Sequence, residues 1–392
     1  MLEQKSERLI SLDVFRGITI AGMILVNNPG SWGNIYPALK HADWHGCTPT
    51  DLIFPFFLFI VGVAITISLS KKKEKGESHT KIMLQVAKRS LLLFLLGMIL
   101  ASYPFGLLFN HNFDISNVRI PGVLQRIALV YFVAAFIFLK FDIKWQAIIA
   151  AIFLFIYWFV MTLIPVPGFG MPNLDIPIMI NEVTKLAFAP NLAGWIDYNL
   201  LGSHLWRASK VWDPEGLLST VPAISTAISG IMLGHLLRSK IEPMTRVVWM
   251  FVFGNLGIML GVIWDMWFPF NKGLWTSSYV LYTSGMALHF FALCYFLIDI
   301  KGYTWWTKPF VVYGMNAITV FFLTGIMART FGLIKVTNAE GNIVSLHNFL
   351  YNILFVPYMS PINASLAWAL LYVTVWLGIL WILYWKKIFI KV

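Results

Sequence analysis

The polar chemistry of this chain is gathered into a few short stretches set between long apolar runs. The first is KHADWHGCTPTD, residues 40–51, with His41 in a loop ahead of an apolar run. Nothing nearby gives His41 a structural task, and an imidazole is suited to take up or return a proton near neutral pH. Most solitary loop histidines do no such work, so spacing alone makes His41 only a candidate. Asp51 has a full local explanation. Thr48 as N-cap, Pro49 at the first helical position and an acid three residues after the cap form a capping signature. Asn27 and Asn28 close the first apolar run, where their amides either cap it or orient a catalytic group.

Charged residues inside apolar runs are the next candidates, because each must find a partner in a bilayer. Arg126 lies about two turns beyond Arg119 in VRIPGVLQRIALVYF. A guanidinium cannot shed its charge, so it needs a carboxylate, carbonyls or an anionic ligand. The two arginines share a helix face if the helix begins ahead of Pro121; Arg119 alone reads equally as an interfacial residue. Asp213 and Glu215, in WDPEGLLSTVPA, either favour the following helix through its macrodipole or hold a cationic or polyhydroxylated substrate. Asp13 and Arg16 read as a local ion pair or a ligand pair. Asn316 reads as a lining residue or as an interhelical hydrogen bond. Phosphate-binding glycine loops, a serine nucleophile elbow and a zinc-binding helix motif are all missing, which leaves ATP-driven transport unsupported. Cys47 and Cys294 lie in a loop and an apolar run, a poor prospect for a disulfide, and no Cys/His spacing suits zinc.

The elements that carry these residues are set by composition. Of 392 residues, 58% are hydrophobic and 12% charged, against about 25% charged in a soluble domain. Runs long enough to cross a bilayer fall near residues 10–28, 50–70, 83–103, 121–140, 145–165, 217–237, 244–265, 275–298, 308–328 and 364–385. The fold expected is therefore all-α: one polytopic membrane domain over residues 1–392 with about ten spans. Residues 343–359 form a shorter apolar segment, re-entrant or interfacial. The first run lacks a small-residue cleavage site and reads as a retained span. The net charge of +11 sits in short clusters at the ends of apolar runs, which argues for membrane topology and against nucleic acid. With the N-terminus inside, 19 of the 29 lysines and arginines face inward and eight outward. Lys5, Arg8, Lys185 and Lys391 are among those counted. Both termini are then cytoplasmic, and the long segments 29–49, 166–216 and 329–363 face outward with most of the polar residues.

In this order, RLISLDVFRGITIAGMILVN, KHADWHGCTPTDLIFPFFLFIVG, VRIPGVLQRIALVYF, WDPEGLLSTVPA, LWTSSYV and YGMNAI resemble the heparan-alpha-glucosaminide N-acetyltransferase family. The resemblance runs from residue 8 to the last span and fits a compact, prokaryotic form without the additional N-terminal region of the animal enzyme. It implies transfer of an acetyl group from cytoplasmic acetyl-CoA to an amine, typically of a terminal glucosamine, on the opposite face. The family's active histidine falls on His41 and its supporting asparagine on Asn27. The arginine of RIPG is Arg119 and the acid of DPEG is Glu215. Where the family commonly has Trp-Asn-Gly, this chain has Trp44-His45-Gly46, so His45 is a second imidazole close by, which bears on the acceptor pocket and rivals His41 as base.

The expectations that follow are specific. His41 and Asn27 carry catalysis, His41 either as general base or as a transient acetyl carrier. Arg119 and Arg126 meet the phosphates of CoA. Asp213, Glu215 and His45 hold the amino sugar, and no metal takes part. The expected partners are acetyl-CoA, a glucosamine-type sugar or glycan, membrane lipid and, in one arrangement, a second copy as homodimer. The expected site of residence is a bacterial inner membrane. The rival reading is a transporter or flippase for an amino sugar or lipid-linked glycan, which the intramembrane arginine and outer acids suit equally.

Overall fold

A computed structural model describes residues 9–106, 113–176, 179–181, 186–187 and 191–390. Lys5, Arg8, Lys185 and Lys391, counted in the charge balance above, lie outside the described residues. The described chain is helical: α1 Ile10–Asn27, α2 Ile53–Glu74, α3 His79–Ser102, α4 Val123–Lys140, α5 Ile143–Leu163, α6 Leu192–Leu201, α7 Thr220–Arg238, α8 Pro243–Asp265, α9 Ser277–Tyr295, α10 Lys308–Met315, α11 Ala317–Leu333, α12 Leu346–Leu354 and α13 Pro361–Trp385. Strands are confined to two small hairpins, β1 Met179–Asn181 with β2 Leu186–Ala187, and β3 Lys335–Thr337 with β4 Ile343–Ser345. Nine helices among the described residues are long and apolar enough to cross a membrane, and a tenth span forms if α10 and α11 are one broken crossing.

Caps start these helices where the sequence places polar side chains. Ser78 accepts the Lys81 amide ahead of α3, Asp142 the Trp145 amide ahead of α5, and Asn191 the Gly194 amide ahead of α6. At the other end of α2, Lys71, Lys72 and Lys73 sit in the last turn, where the helix dipole favours cations. Arg119 is not helical, because α4 begins only at Val123, after Pro121 and Gly122. The expected continuous run at 308–328 is broken. α10 and α11 meet at an angle of 81°, and Asn316 stands between them. Its side chain donates to the Ile388 carbonyl at 3.2 Å and accepts from the Ile390 amide at 2.9 Å. A buried amide can make both bonds at once, so Asn316 ties the break to the chain's tail.

The chain divides into two compact units. One comprises residues 41–239 and 256–284 and is organised on α2 and α7, whose membrane windows are each 72% buried. Their contact is made by glycines. A Cβ added at Gly62 would overlap the Ala227 carbonyl, and one at Gly230 the Phe59 carbonyl. Small residues let helices close where lipid offers no hydrophobic push. α4 and α5 pack onto this pair, and α5 turns most of its surface outward, with 22% of its window buried. The other unit comprises residues 1–40, 240–255 and 285–391. In it α1 lies against α10 through Gly17 and Gly314, each facing a backbone carbonyl of the other helix.

Candidate active site

The loop from His41 to Thr48 leads into a short 3-10 turn, Pro49–Leu52, that starts the α2 span. Thr48 and Asp51 form the expected capping box there. The Asp51 carboxylate does more than cap. Its Oδ2 accepts from the Ala42 amide, the Thr48 amide and the Thr48 hydroxyl, all at 3.0 Å. Its Oδ1 lies 2.6 Å from Nδ1 of His41. A carboxylate only accepts, so the imidazole proton sits on Nδ1 and the lone pair of Nε2 faces away from Asp51. Asp51 is 1% exposed and His41 42% exposed, so an exposed imidazole is held from behind by a buried acid. Tyr279, on α9, donates its hydroxyl to the Asp51 carbonyl at 2.5 Å.

Lys272 completes this cluster. Its Nζ lies 3.1 Å from Nδ1 and 3.2 Å from Nε2 of His41, and 3.7 Å from Asp51 Oδ1. The loop that bears it is tied to the histidine loop by the Gly46 amide, which donates to the Phe270 carbonyl at 2.8 Å. Burial pulls the Lys272 ammonium below the usual lysine range, and the charges of Asp51 and Glu215 only partly offset it. Burial, with the Asp51 charge added, pushes the Cys47 thiol up to about 12. His45 lies 3.4 Å by Nδ1 from the Asn271 amide. Burial lowers its affinity for a proton, against the charges of Asp175 and Asp265. Trp44 is anchored by its indole N–H to the Leu174 carbonyl at 2.8 Å and packs edge-on to Trp212, with ring centroids 5.0 Å apart.

A second polar cluster lies in the same unit. Arg119 reaches Asp213 with Nε at 2.8 Å and Nη2 at 2.5 Å, and Nη2 also meets Glu215 at 2.5 Å. The expected anion receptor and the expected cation receptors thus close on one another. The Glu215 carboxyl is raised by burial but held below the usual glutamate range by the charges of Arg119, Arg126 and Lys272. The same two acids outweigh burial and raise the Arg119 guanidinium. Arg126 is 1% exposed. It donates from Nη2 to the Gly216 carbonyl at 3.2 Å and to the Ser219 hydroxyl, and its guanidinium lies 5.2 Å from the Trp275 ring centroid. Among the described residues, its Nε and Nη1 have no hydrogen-bond partner. The turn between the two arginines' partners is braced by Asp197, which accepts the Leu217 amide at 2.9 Å. Burial pushes that carboxyl up to about 7.

Asn27 belongs to the other unit. It ends α1 and lines a cavity of about 510 Å³ with Asn28, His347, Asn348, Tyr351 and Trp368. His347 stands edge-on to Trp368, with ring centroids 4.8 Å apart. Two members of the first cluster escaped the sequence reading. Asp51 was accounted for by its cap, and Lys272 counted only as an outer-loop charge. The available signals were an acid ten residues after the histidine and a lysine two residues before LWTSSYV. Among the described residues no group of three or more His, Cys, Asp or Glu side chains is placed to hold a metal ion.

A family model described as "Heparan-alpha-glucosaminide N-acetyltransferase, catalytic" matches residues 8–210, which include Asn27, His41, Asp51, Arg119 and Arg126. The human heparan-alpha-glucosaminide N-acetyltransferase is 33% identical over an alignment of 358 residues, covering 80% of this chain and 52% of that protein. The mouse protein of the same name is 31% identical over 357 residues, covering 81% and 53%. The chain spans about half the length of these curated relatives. The match extends over more than half of the chain and takes in the buried acid, the histidine ahead of it and the spans that carry them. The chain belongs to the heparan-alpha-glucosaminide N-acetyltransferase family.

Proposed function

We propose that this protein is a transmembrane N-acetyltransferase that moves an acetyl group from acetyl-CoA, taken from the cytoplasm, to the amine of a glucosamine-type sugar on the far face of the membrane. The observation that carries this reading is the His41–Asp51 pair at the mouth of α2, 2.6 Å apart. An amine attacking a thioester must lose a proton as its C–N bond forms. In the proposed step, Nε2 of His41 takes that proton, and Asp51 stabilises the resulting imidazolium through Nδ1–H. The C–S bond then breaks, and His41 returns the proton to the CoA thiolate. A covalent acetyl-histidine would use the same nitrogen.

The remaining residues divide by what supports them. For Asn27 the catalytic role rests on the family resemblance. His45 is offered as an acceptor-side contact, next to Trp44. The donor-binding role of Arg119 and Arg126 and the acceptor-binding role of Asp213 and Glu215 are proposals with a structural cost. A phosphate on Arg119 would have to displace two carboxylates, and an ammonium on those carboxylates would have to displace Arg119. The geometry supports them first as a clamp that shapes the loop. The charge bias of the inter-helix segments supports cytoplasmic termini, and a bacterial inner membrane is the residence proposed.

The test uses purified protein in detergent with acetyl-CoA and glucosamine. Glucosamine-dependent release of CoA thiol that is lost in a folded His41→Ala variant supports the reading. Its persistence in that variant would overturn the assignment of His41. No thiol release, together with uptake of labelled glucosamine into proteoliposomes, would favour the transporter instead.

A further inference from the structure

The proposed mechanism requires an acceptor amine within hydrogen-bond reach of His41 Nε2, and the Lys272 amine already lies at that range. It lies 3.2 Å from the Nε2 that the proposed mechanism uses as base, on a side chain 25% exposed. That distance is hydrogen-bond reach for general-base catalysis. Two further facts make the juxtaposition more than a surface contact. The His41 ring is fixed by Asp51, and the Lys272 Nζ lies against that fixed ring, 3.1 Å from Nδ1 and 3.2 Å from Nε2. The Lys272 loop is fixed too, with Asn271 buried and its side chain accepting the Leu274 amide at 2.8 Å.

We propose that Lys272 is an internal acetyl acceptor: when acetyl-CoA is bound and no sugar amine is present, the protein acetylates its own Lys272. The inference rests on the acetyl-transfer reading above. The ammonium first gives one proton to solvent, and burial of Lys272 favours that loss. The neutral Nζ then attacks the thioester carbonyl carbon. His41 Nε2 takes the proton that the new C–N bond expels. The C–S bond breaks with its electron pair on sulfur, and His41 passes its proton to the thiolate. The products are Nε-acetyl-lysine, CoA thiol and the one proton already released. The modification would remove the cation that faces Asp51 and leave an amide where the incoming sugar nitrogen must stand. A bound acceptor protects Lys272 by displacing it from Nε2, so self-acetylation competes with turnover and is strongest in acceptor starvation.

The experiment incubates purified protein in detergent with acetyl-CoA alone and reads the Lys272 peptide by mass spectrometry. One acetyl group on Lys272 is expected. Its formation should slow about 100-fold in His41→Ala, the loss of a general base, and should be suppressed by saturating glucosamine. The intact mass should stay unmodified in Lys272→Arg, which keeps the cation against Asp51 and so the fold. Wild-type protein that transfers acetyl to glucosamine while Lys272 remains unmodified overturns the inference and leaves the reading of function standing. Acetylation of Lys272 at the same rate in His41→Ala and wild type overturns it as well, since the lysine would then be reacting with acetyl-CoA unaided. Absence of both lysine acetylation and transfer to glucosamine would instead remove the reading on which the inference rests.

Discussion

Asp51→Asn isolates the role of the buried acid from its role as a cap. Three donors converge on Oδ2: the Ala42 amide, the Thr48 amide and the Thr48 hydroxyl. They require an acceptor, so the asparagine oxygen takes that position and its NH2 group faces His41. An NH2 group can only donate to Nδ1, which forces the imidazole proton onto Nε2. The nitrogen meant to accept the substrate proton is then already protonated. In serine hydrolases the equivalent change costs about 10⁴-fold in kcat. His41 is 42% exposed, so water restores some of the correct tautomer, and a loss of about 10²- to 10⁴-fold is expected here. That corresponds to roughly 3–5 kcal/mol of transition-state stabilisation. The fold should survive, because the asparagine oxygen keeps an acceptor for the Ala42 amide, the Thr48 amide and the Thr48 hydroxyl. The assay is CoA thiol release with saturating glucosamine, run beside a thermal melt in the same detergent. An Asp51→Asn protein that melts like wild type and keeps kcat within about threefold would refute the pairing as the basis of catalysis.

Arg119→Ala should lower stability by about 3 kcal/mol, because it leaves Asp213 and Glu215 buried without their counter-charge; Asp213→Asn with Glu215→Gln in the same background should recover most of the loss in a thermal melt. Glu215 has a folded carboxyl below the usual glutamate value, so its contribution is present above that value and fades as pH falls through the folded one; Glu215→Gln should therefore show a flatter decline of Tm on acidification. Asp197 has the opposite sign. Its carboxyl is pushed up to about 7, so stability is full below the ordinary aspartate value and is lost as pH rises through about 7, and Asp197→Asn should lessen the fall of Tm between mildly acidic and alkaline buffer. Gly62→Val should reduce stability by about 1–3 kcal/mol or prevent folding, through collision with the Ala227 carbonyl, read as loss of the monodisperse peak and of Tm.

What the sequence makes legible here depends on the range of the interaction. The spans follow from hydrophobic length, a local property, and the described helices agree with them except at Asn316. There the apolar run is unbroken in sequence, and the break comes from bonds to Ile388 and Ile390, more than 70 positions away. The capping box of Thr48 and Asp51 is local and forms as the spacing predicts, yet that sufficient local explanation hides the longer contact to His41. A carboxylate has two oxygens with several lone pairs, so one use never excludes another. The same reasoning applies to Arg119 and its acids. Each reads singly as a receptor for an opposite charge outside the chain, and only the fold brings residues 119, 213 and 215 together. Lys272 is the extreme case. It stands 231 positions from His41 with no motif to link them, so its position at the imidazole is a property of the packing alone. Polar residues with a complete local account are therefore where a membrane protein's sequence conceals most, since a bilayer tolerates few charges and Asp51 both caps a helix and holds His41.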